Sequence, residues 1–226
     1  MRGKTYLSVF LGILTGLSLL TVLLAETIDA MGCSPGIMEY LMRRDAPGAY
    51  TGLDEREYPD MVSMITDYLS GKNPEFGYVS DGAQLFQAHE IRHMQDVREL
   101  FVLDRTVVLF STLVLAASTL SGLFLGRRRA WLGGVLAGFG ALLILALVLI
   151  VWGMVDFPSL FIGFHELFFS NELWMLNPQT DLLIRLMPTQ FFVHYALLIA
   201  VTFGILCASV SAAAVLCFRR SDRREK

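Results

Sequence analysis

Hydrophobic residues in this chain are gathered into four long blocks. Tyr6 to Ala25, Thr106 to Gly126 and Ala130 to Val155 contain no charged residue, and Phe191 to Phe218 holds one ionisable group of note, His194. Each block reaches the ~20 residues that carry an α-helix across a ~30 Å hydrocarbon layer. In lipid the backbone has to bond to itself, which selects helix. The pattern predicts an all-α integral membrane protein, a single membrane domain over residues 1–226, with spans at about 6–25, 104–126, 130–155 and 190–218.

The two segments between spans, 26–103 and 156–189, have a different texture. Ser34-Pro35 reads as a helix cap followed by a first-turn proline. Pro59 opens a second stretch, in which Met61, Met64, Ile65, Tyr68 and Leu69 recur at helical spacing until Gly71. Asp81-Gly82 is expected to start a helix that runs unbroken into the second span. On it, Phe86, Glu90, His93, Val97, Leu100 and Asp104 share one face. In the later segment Phe157, Phe161, Phe164 and Phe168 form a helical stripe, with Trp174 beyond. Aromatic residues at this density suit the headgroup boundary, so this segment reads as interfacial or re-entrant. Asn177-Pro178 is a turn, and a short helix from Asp181 to Met187 stops at Pro188.

Charge orients this pattern. Arg2 and Lys4 precede the first span, Arg127, Arg128 and Arg129 fill the turn between the second and third, and Arg219, Arg220, Arg223, Arg224 and Lys226 follow the fourth. Basic residues favour the cytoplasmic side, which predicts both termini inside and segments 26–103 and 156–189 outside. The apolar core of the first block is too long for a signal peptide, and Glu26 and Asp29 intervene before Cys33. With 54% apolar residues, 17% charged and a mean hydropathy of +0.55, the composition excludes an ordinary soluble domain. Three cysteines, two of them in the fourth block (Cys207 and Cys217), exclude a disulfide framework or zinc cage. No repeat or phosphate-binding glycine loop is present. Gly133, Gly134, Gly138 and Gly140 lie within the third span, where they permit close helix packing.

The chemistry sits in the outside segments. Glu, His and Asp on an apolar stripe at the membrane boundary are expensive and mark candidate functional groups. His89-Glu90-Ile91-Arg92-His93 spells HExxH, the spacing that places two zinc ligands one turn apart with a glutamate base. Against that reading stand the charged Arg92 between the histidines, Gln95 where an apolar residue is usual, and a third ligand supplied only by His165 or Glu166.

The stretch FQAHEIRHMQDVREL, residues 86–100, together with FHELFFSNELWMLNPQTDLLIRLMP, residues 164–188, resembles the bacterial lipoprotein intramolecular transacylase (Lit) family. The matching elements are Glu-x-x-His-Met-x-Asp-Val at the start of the second span, Phe-His-x-x-Phe-Phe after the third, and Asn-Pro-x-Thr-Asp with a later proline before the fourth. The resemblance covers essentially the whole chain. It implies four spans and an acyl transfer within one substrate. The sn-2 chain of an S-diacylglyceryl lipoprotein moves to the α-amine of the N-terminal cysteine, leaving an N-acyl, S-monoacylglyceryl lipoprotein. It also implies two catalytic histidines, which by motif are His93 and His165, and leaves His89 outside the pattern.

An ester becoming an amide runs downhill, so neither a nucleotide nor a redox cofactor is expected. The expected partners are diacylglyceryl lipoproteins and membrane lipid, with no nucleic acid. An α-amine with a pKa of ~8 and an imidazole of ~6.5 suit proton exchange near neutrality. His165 is read as the base and His93 as proton donor or oxyanion stabiliser, though sequence does not separate the two roles, and direct attack by a histidine is a further route. Asp96, one turn from His93, is a candidate to fix its tautomer, with Glu90 the alternative. Arg185 is a candidate for a substrate carbonyl. Asn171 and Asp181 are supporting groups that also suit caps and turns, and His194 is a candidate lining residue. Asp104, Arg105 and Asp156 are expected to pair among themselves. The competing readings are a membrane zinc metalloprotease and a non-enzymatic membrane scaffold.

Overall fold

A computed structural model describes residues 2–224 of the chain, with side chains to residue 212. Cys217 and the basic cluster from Arg219 to Lys226 therefore fall outside the described side chains. The elements in order are α1 (Arg2–Gly32), α2 (Pro35–Asp45), α3 (Gly48–Thr51), a 3-10 turn (Glu55–Glu57), α4 (Tyr58–Ser70), β1 (Val79–Ser80), β2 (Ala83–Gln84), α5 (Ala88–Phe124), α6 (Arg128–Val155), α7 (Phe157–Phe168), α8 (Leu182–Leu186) and α9 (Thr189–Arg224). Among the described residues four helices are long and apolar enough to cross a membrane: α1, α5, α6 and, over Thr189–Ala212, α9. The chain divides into two compact units.

The first unit comprises residues 1–27, 107–145 and 198–226. Its α1 and α6 touch through glycines. A Cβ on Gly12 would meet backbone atoms of Trp131, Gly134 and Val135, and one on Gly138 would meet the backbone of Ile13. Without a hydrophobic effect between helices in lipid, such close backbone approach and interhelical hydrogen bonds supply the association. The hydroxyls of Thr15 on α1 and Ser118 on α5 meet at 2.9 Å, buried.

The second unit comprises residues 28–106 and 146–197. Its core is formed by Leu41 and Met42 of α2, Tyr58, Met61 and Ile65 of α4, and Leu186 of α8, all buried. Ser34 occupies the N-cap of α2 ahead of Pro35, and Gly71 closes α4 at φ 83°, the left-handed conformation that only glycine adopts without strain. The buried hydroxyl of Tyr58 donates to the carbonyl of Ala46 at 2.5 Å and pairs with the hydroxyl of Thr51 at 2.9 Å, so this polar atom in the core is satisfied.

Two expectations are corrected here. Asp81-Gly82 starts no helix. Both residues have positive φ, 50° and 78°, and they turn a two-residue hairpin in which Val79 faces Gln84 and Ser80 faces Ala83. Asp-Gly favours this turn because both central residues need that conformation. The helix starts at Ala88 instead, and does continue unbroken through Phe124. Nor do Arg105 and Asp156 pair. Arg105 binds Asp29 at 2.7 Å and donates to the carbonyl of Leu69 at 3.0 Å, while Asp156 accepts the Ser159 N–H and caps α7. The guanidinium finds an acid on α1, and the carboxylate satisfies a helix terminus that would otherwise carry an open donor.

Candidate active site

The first turn of α5 is held by a carboxylate. Glu90 is 0% exposed, the position least tolerant of an unpaired charge. Each of its oxygens accepts one backbone N–H: from Gln87 at 2.7 Å, in the manner of a capping box, and from Leu183 at 2.6 Å. One buried anion thus serves the N-termini of two helices, α5 and α8. Beside it, Asp181 accepts from His89 Nε2 at 2.9 Å, Gln87 Nε2 at 3.2 Å, the Asn177 N–H at 2.8 Å and the Thr180 hydroxyl at 2.7 Å. Burial alone would raise the Asp181 carboxyl. The bonds from His89, Asn177 and Thr180 outweigh burial and hold it below the usual carboxylate range.

Within the HExxH stretch, His89 bonds Asp181, Glu90 bonds the N–H groups of Gln87 and Leu183, and the His93 ring lies against that of His165. Among the described residues no group of three or more His, Cys, Asp or Glu is placed to hold a metal ion.

One turn beyond Glu90, His93 meets His165 of α7. The ring centroids lie 6.2 Å apart at 32°. Each histidine is 7% exposed. The enclosure is aromatic: around His165 stand Phe161 at 4.1 Å, Trp174 at 4.9 Å, and Phe164 and Phe169 at 5.4 Å, and Phe169 also lies 5.4 Å from His93. His165 Nδ1 is 2.6 Å from the carbonyl of Phe161, one turn back on α7, and must donate to it. In the neutral ring this leaves the lone pair on Nε2. Burial pushes the imidazole below its ordinary pKa, partly offset by that same bond. His93 Nδ1 is buried and has no hydrogen-bond partner. The pair can therefore offer one base of defined tautomer and, on His93, a ring nitrogen that no described group satisfies.

The other sequence candidates distribute around this pair. Asp96 does not bond His93; it accepts from Asn171 Nδ2 at 2.9 Å, joining α5 to the segment after α7. Asn171 also accepts the Leu173 N–H at 3.0 Å, forming a turn. Arg185 reaches the carbonyl of Thr51 at 3.0 Å and so ties α8 to the end of α3. His194 donates from Nδ1 to Asp45 at 2.8 Å and accepts at Nε2 from Arg44 at 3.1 Å and Gln190 at 3.2 Å, a clamp of α2 onto α9 with every ring nitrogen occupied. Sequence reasoning gave Gln87 no role, saw Trp174 only as an interfacial aromatic, and met Phe169 only as the end of the Phe-His-x-x-Phe-Phe motif. An open groove of about 530 Å³ between Trp152, Asp156, Ser159, Ile162 and Glu166 runs along α6 and α7, and neither histidine lines it.

The model of the family "Lipoprotein intramolecular transacylase Lit" matches residues 13–192, which include every site residue named above except His194. A search of curated protein sequences returns no match. Among solved structures, that of the membrane integral lipoprotein intramolecular transacylase Lit from Bacillus cereus superposes with a TM-score of 0.77 at 20% identity, covering 95% of this chain and 99% of that one. Two more structures of the Bacillus cereus protein, one with a histidine replaced by arginine and one with a histidine replaced by alanine, give 0.74 and 0.73 at 19% identity, each covering 97% of this chain and 97% and 98% of theirs. At that identity the likeness establishes the fold, an all-α integral membrane protein.

Proposed function

The chain belongs to the lipoprotein intramolecular transacylase Lit family, and from that premise we propose that His165 and His93 carry its acyl transfer. The protein is an acyltransferase and a multi-pass membrane protein. Its reaction moves the sn-2 acyl chain of an S-diacylglyceryl lipoprotein to the α-amine of the N-terminal cysteine and yields the N-acyl, S-monoacylglyceryl form.

The roles follow from the nitrogen atoms. His165, with Nδ1 bound to the Phe161 carbonyl, accepts the amine proton at Nε2 as the amine attacks the ester carbonyl. A C–N bond forms and the carbonyl oxygen becomes an oxyanion. His93, in the tautomer with its proton on the unpartnered Nδ1, donates to that oxyanion. The C–O bond to glycerol then breaks, and the proton held on His165 passes to the leaving glyceryl oxygen. Both histidines return to their starting state, and no cofactor enters the balance. Because donor and acceptor belong to one molecule, holding them at this pair converts proximity into rate.

The carrying observation is the convergence of two buried histidines from α5 and α7 on one aromatic enclosure, one with a defined proton-accepting nitrogen. We place the enclosure at the extracytoplasmic face of a bacterial cytoplasmic membrane with both termini inside, a reading supported by the Lys and Arg clusters before the first span, between the second and third, and after the fourth. Diacylglyceryl lipoproteins present their cysteine at that level.

The test is tandem mass spectrometry of N-terminal lipopeptides from a bacterium that makes diacylglyceryl lipoproteins and lacks other enzymes acylating their N-terminus. Expression of this protein shifts one acyl chain from glycerol to the amine at unchanged total mass, and His93→Ala and His165→Ala abolish the shift. Unshifted lipopeptides from a well-expressed wild type, or full activity in His165→Ala, overturn the assignment.

A further inference from the structure

The proton accepted by His165 leaves a cation in an enclosure that, among the described residues, gives it no carboxylate partner. Its Nδ1 partner is a neutral carbonyl, and the rings around it are Phe161, Phe164, Phe169, Trp174 and His93. The titratable group facing it from α5 is His93. Asp96, further along α5, is bonded to Asn171, while Glu166 on its own helix and Glu172 in the following segment are exposed. An imidazolium here has to be stabilised mainly by dipoles and π-faces.

We infer that Trp174 is a positioning residue for the transfer, fixing the ring of His165 and stabilising the imidazolium that forms on it. The inference rests on the proposed role of His165 as the base. Indole is the best cation–π partner among side chains. The Trp174 ring lies 4.9 Å from the His165 centroid, tilted at 36°; Phe161 (4.1 Å, 43°) and Phe169 (5.4 Å, 37°) are tilted similarly and Phe164 meets the imidazole edge-on at 81°, so among the rings inclined over the imidazole Trp174 is the one indole.

The backbone that delivers Trp174 is not a loose loop. On one side Asn171 donates to Asp96 of α5 and accepts the Leu173 N–H. Around the tryptophan, Met175 N–H bonds the Glu172 carbonyl and Leu176 N–H bonds that of Trp174. On the other side Asn177 N–H bonds Asp181, which is itself gripped by His89 of α5 and by Gln87 just before it. Both ends of the segment are therefore fastened to the helix that carries His93. That fastening keeps the indole in register with both histidines, and gives the polar groups at positions 87, 89, 96, 171 and 181 a shared purpose that no reaction step requires of them.

Three substitutions separate a π-face from mere bulk. Trp174→Phe keeps a face, Trp174→Leu keeps an apolar wall without one, and Trp174→Met does the same with a flexible chain in case the leucine variant folds poorly. Each is assayed with a diacylglyceryl lipopeptide for kcat and KM, and His165 is titrated by its ¹⁵N resonances in histidine-labelled protein. The phenylalanine variant is expected to keep kcat within about 3-fold. The leucine and methionine variants are expected to lose kcat roughly 3- to 30-fold with KM within about 2-fold, and to titrate His165 at lower pH than wild type, because the charged ring has lost its partner. Wild-type kcat and titration in folded Trp174→Leu or Trp174→Met overturn the inference. So does a loss confined to KM, which would make Trp174 a wall for substrate. If His165→Ala is fully active, the base assignment falls first; if it is inactive while these variants behave as wild type, only this inference falls.

Discussion

Nδ1 of His165 stands 2.6 Å from the carbonyl oxygen of Phe161, one helical turn earlier on α7. A carbonyl oxygen has two lone pairs, so this one inside α7 can take the ring N–H beside its helical bond, and it fixes which nitrogen of a buried imidazole is free. The ¹⁵N spectrum at neutral pH should show His165 protonated at Nδ1 and bare at Nε2. Its titration midpoint should fall below the ordinary ~6.5, since burial lowers it, so the ring stays a competent base to more acid pH and loses that capacity only as pH drops through the lowered value. An Nε2-protonated ring, or a midpoint at or above 6.5, contradicts the assigned role.

His89, despite its place in HExxH, should be dispensable for chemistry. His89→Ala removes one donor to Asp181 and is expected to leave kcat within a few-fold of wild type, while lowering stability by about 1 kcal/mol, the scale of one part-exposed hydrogen bond to an ionised partner. Incubation with a strong chelator should leave transfer unchanged. Activity lost with chelator and restored by zinc would revive the metalloenzyme reading.

Glu90 presents a sharper stability test. Removing the carboxylate in Glu90→Ala strands the buried N–H of Leu183 and frees the part-buried N–H of Gln87, and should cost about 2–3 kcal/mol. Glu90→Gln retains one acceptor and should lose about half as much. Thermal unfolding in detergent ranks the two, and equal stability of all three proteins would show that this carboxylate holds nothing.

In the membrane-crossing part, glycines one or two positions apart should differ in tolerance. Gly134→Ala and Gly138→Ala drive a methyl into the backbone of α1 and should destabilise by about 1–3 kcal/mol. Gly133→Ala and Gly140→Ala meet nothing within 4 Å and should be neutral or slightly stabilising. The comparison requires only melting temperatures in one detergent.

Much of this was legible in the sequence, for reasons that differ by element. The four spans follow from hydropathy, which measures lipid-crossing length; it does not measure helix length, so α1 runs on through Glu26 and Asp29 to Gly32. Prolines 35 and 59 and glycine 71 marked the limits of α2 and α4 because they act on the local backbone. Asp81-Gly82 misled because aspartate serves equally as a helix cap and in a hairpin turn, and the residues flanking it carry no clear alternation. His93 and His165 were named through the family's motifs. Their approach across 72 positions of chain is a tertiary fact that periodicity does not encode. The same holds for Asn171 with Asp96, and for Glu90 with Leu183, where one partner is a backbone atom and leaves no trace in residue type.

The aromatic walls around His165 bear on the fate of the acyl group as well as on its speed. A base able to deprotonate an amine can also activate water, and an ester that meets activated water is lost as free fatty acid. Five rings pack about the His165 imidazole, a residue only 7% exposed, and leave little room for solvent around it. The yield of intact lipoprotein, the partition between aminolysis and hydrolysis, is thereby set by the dryness of the chamber more than by the strength of its base.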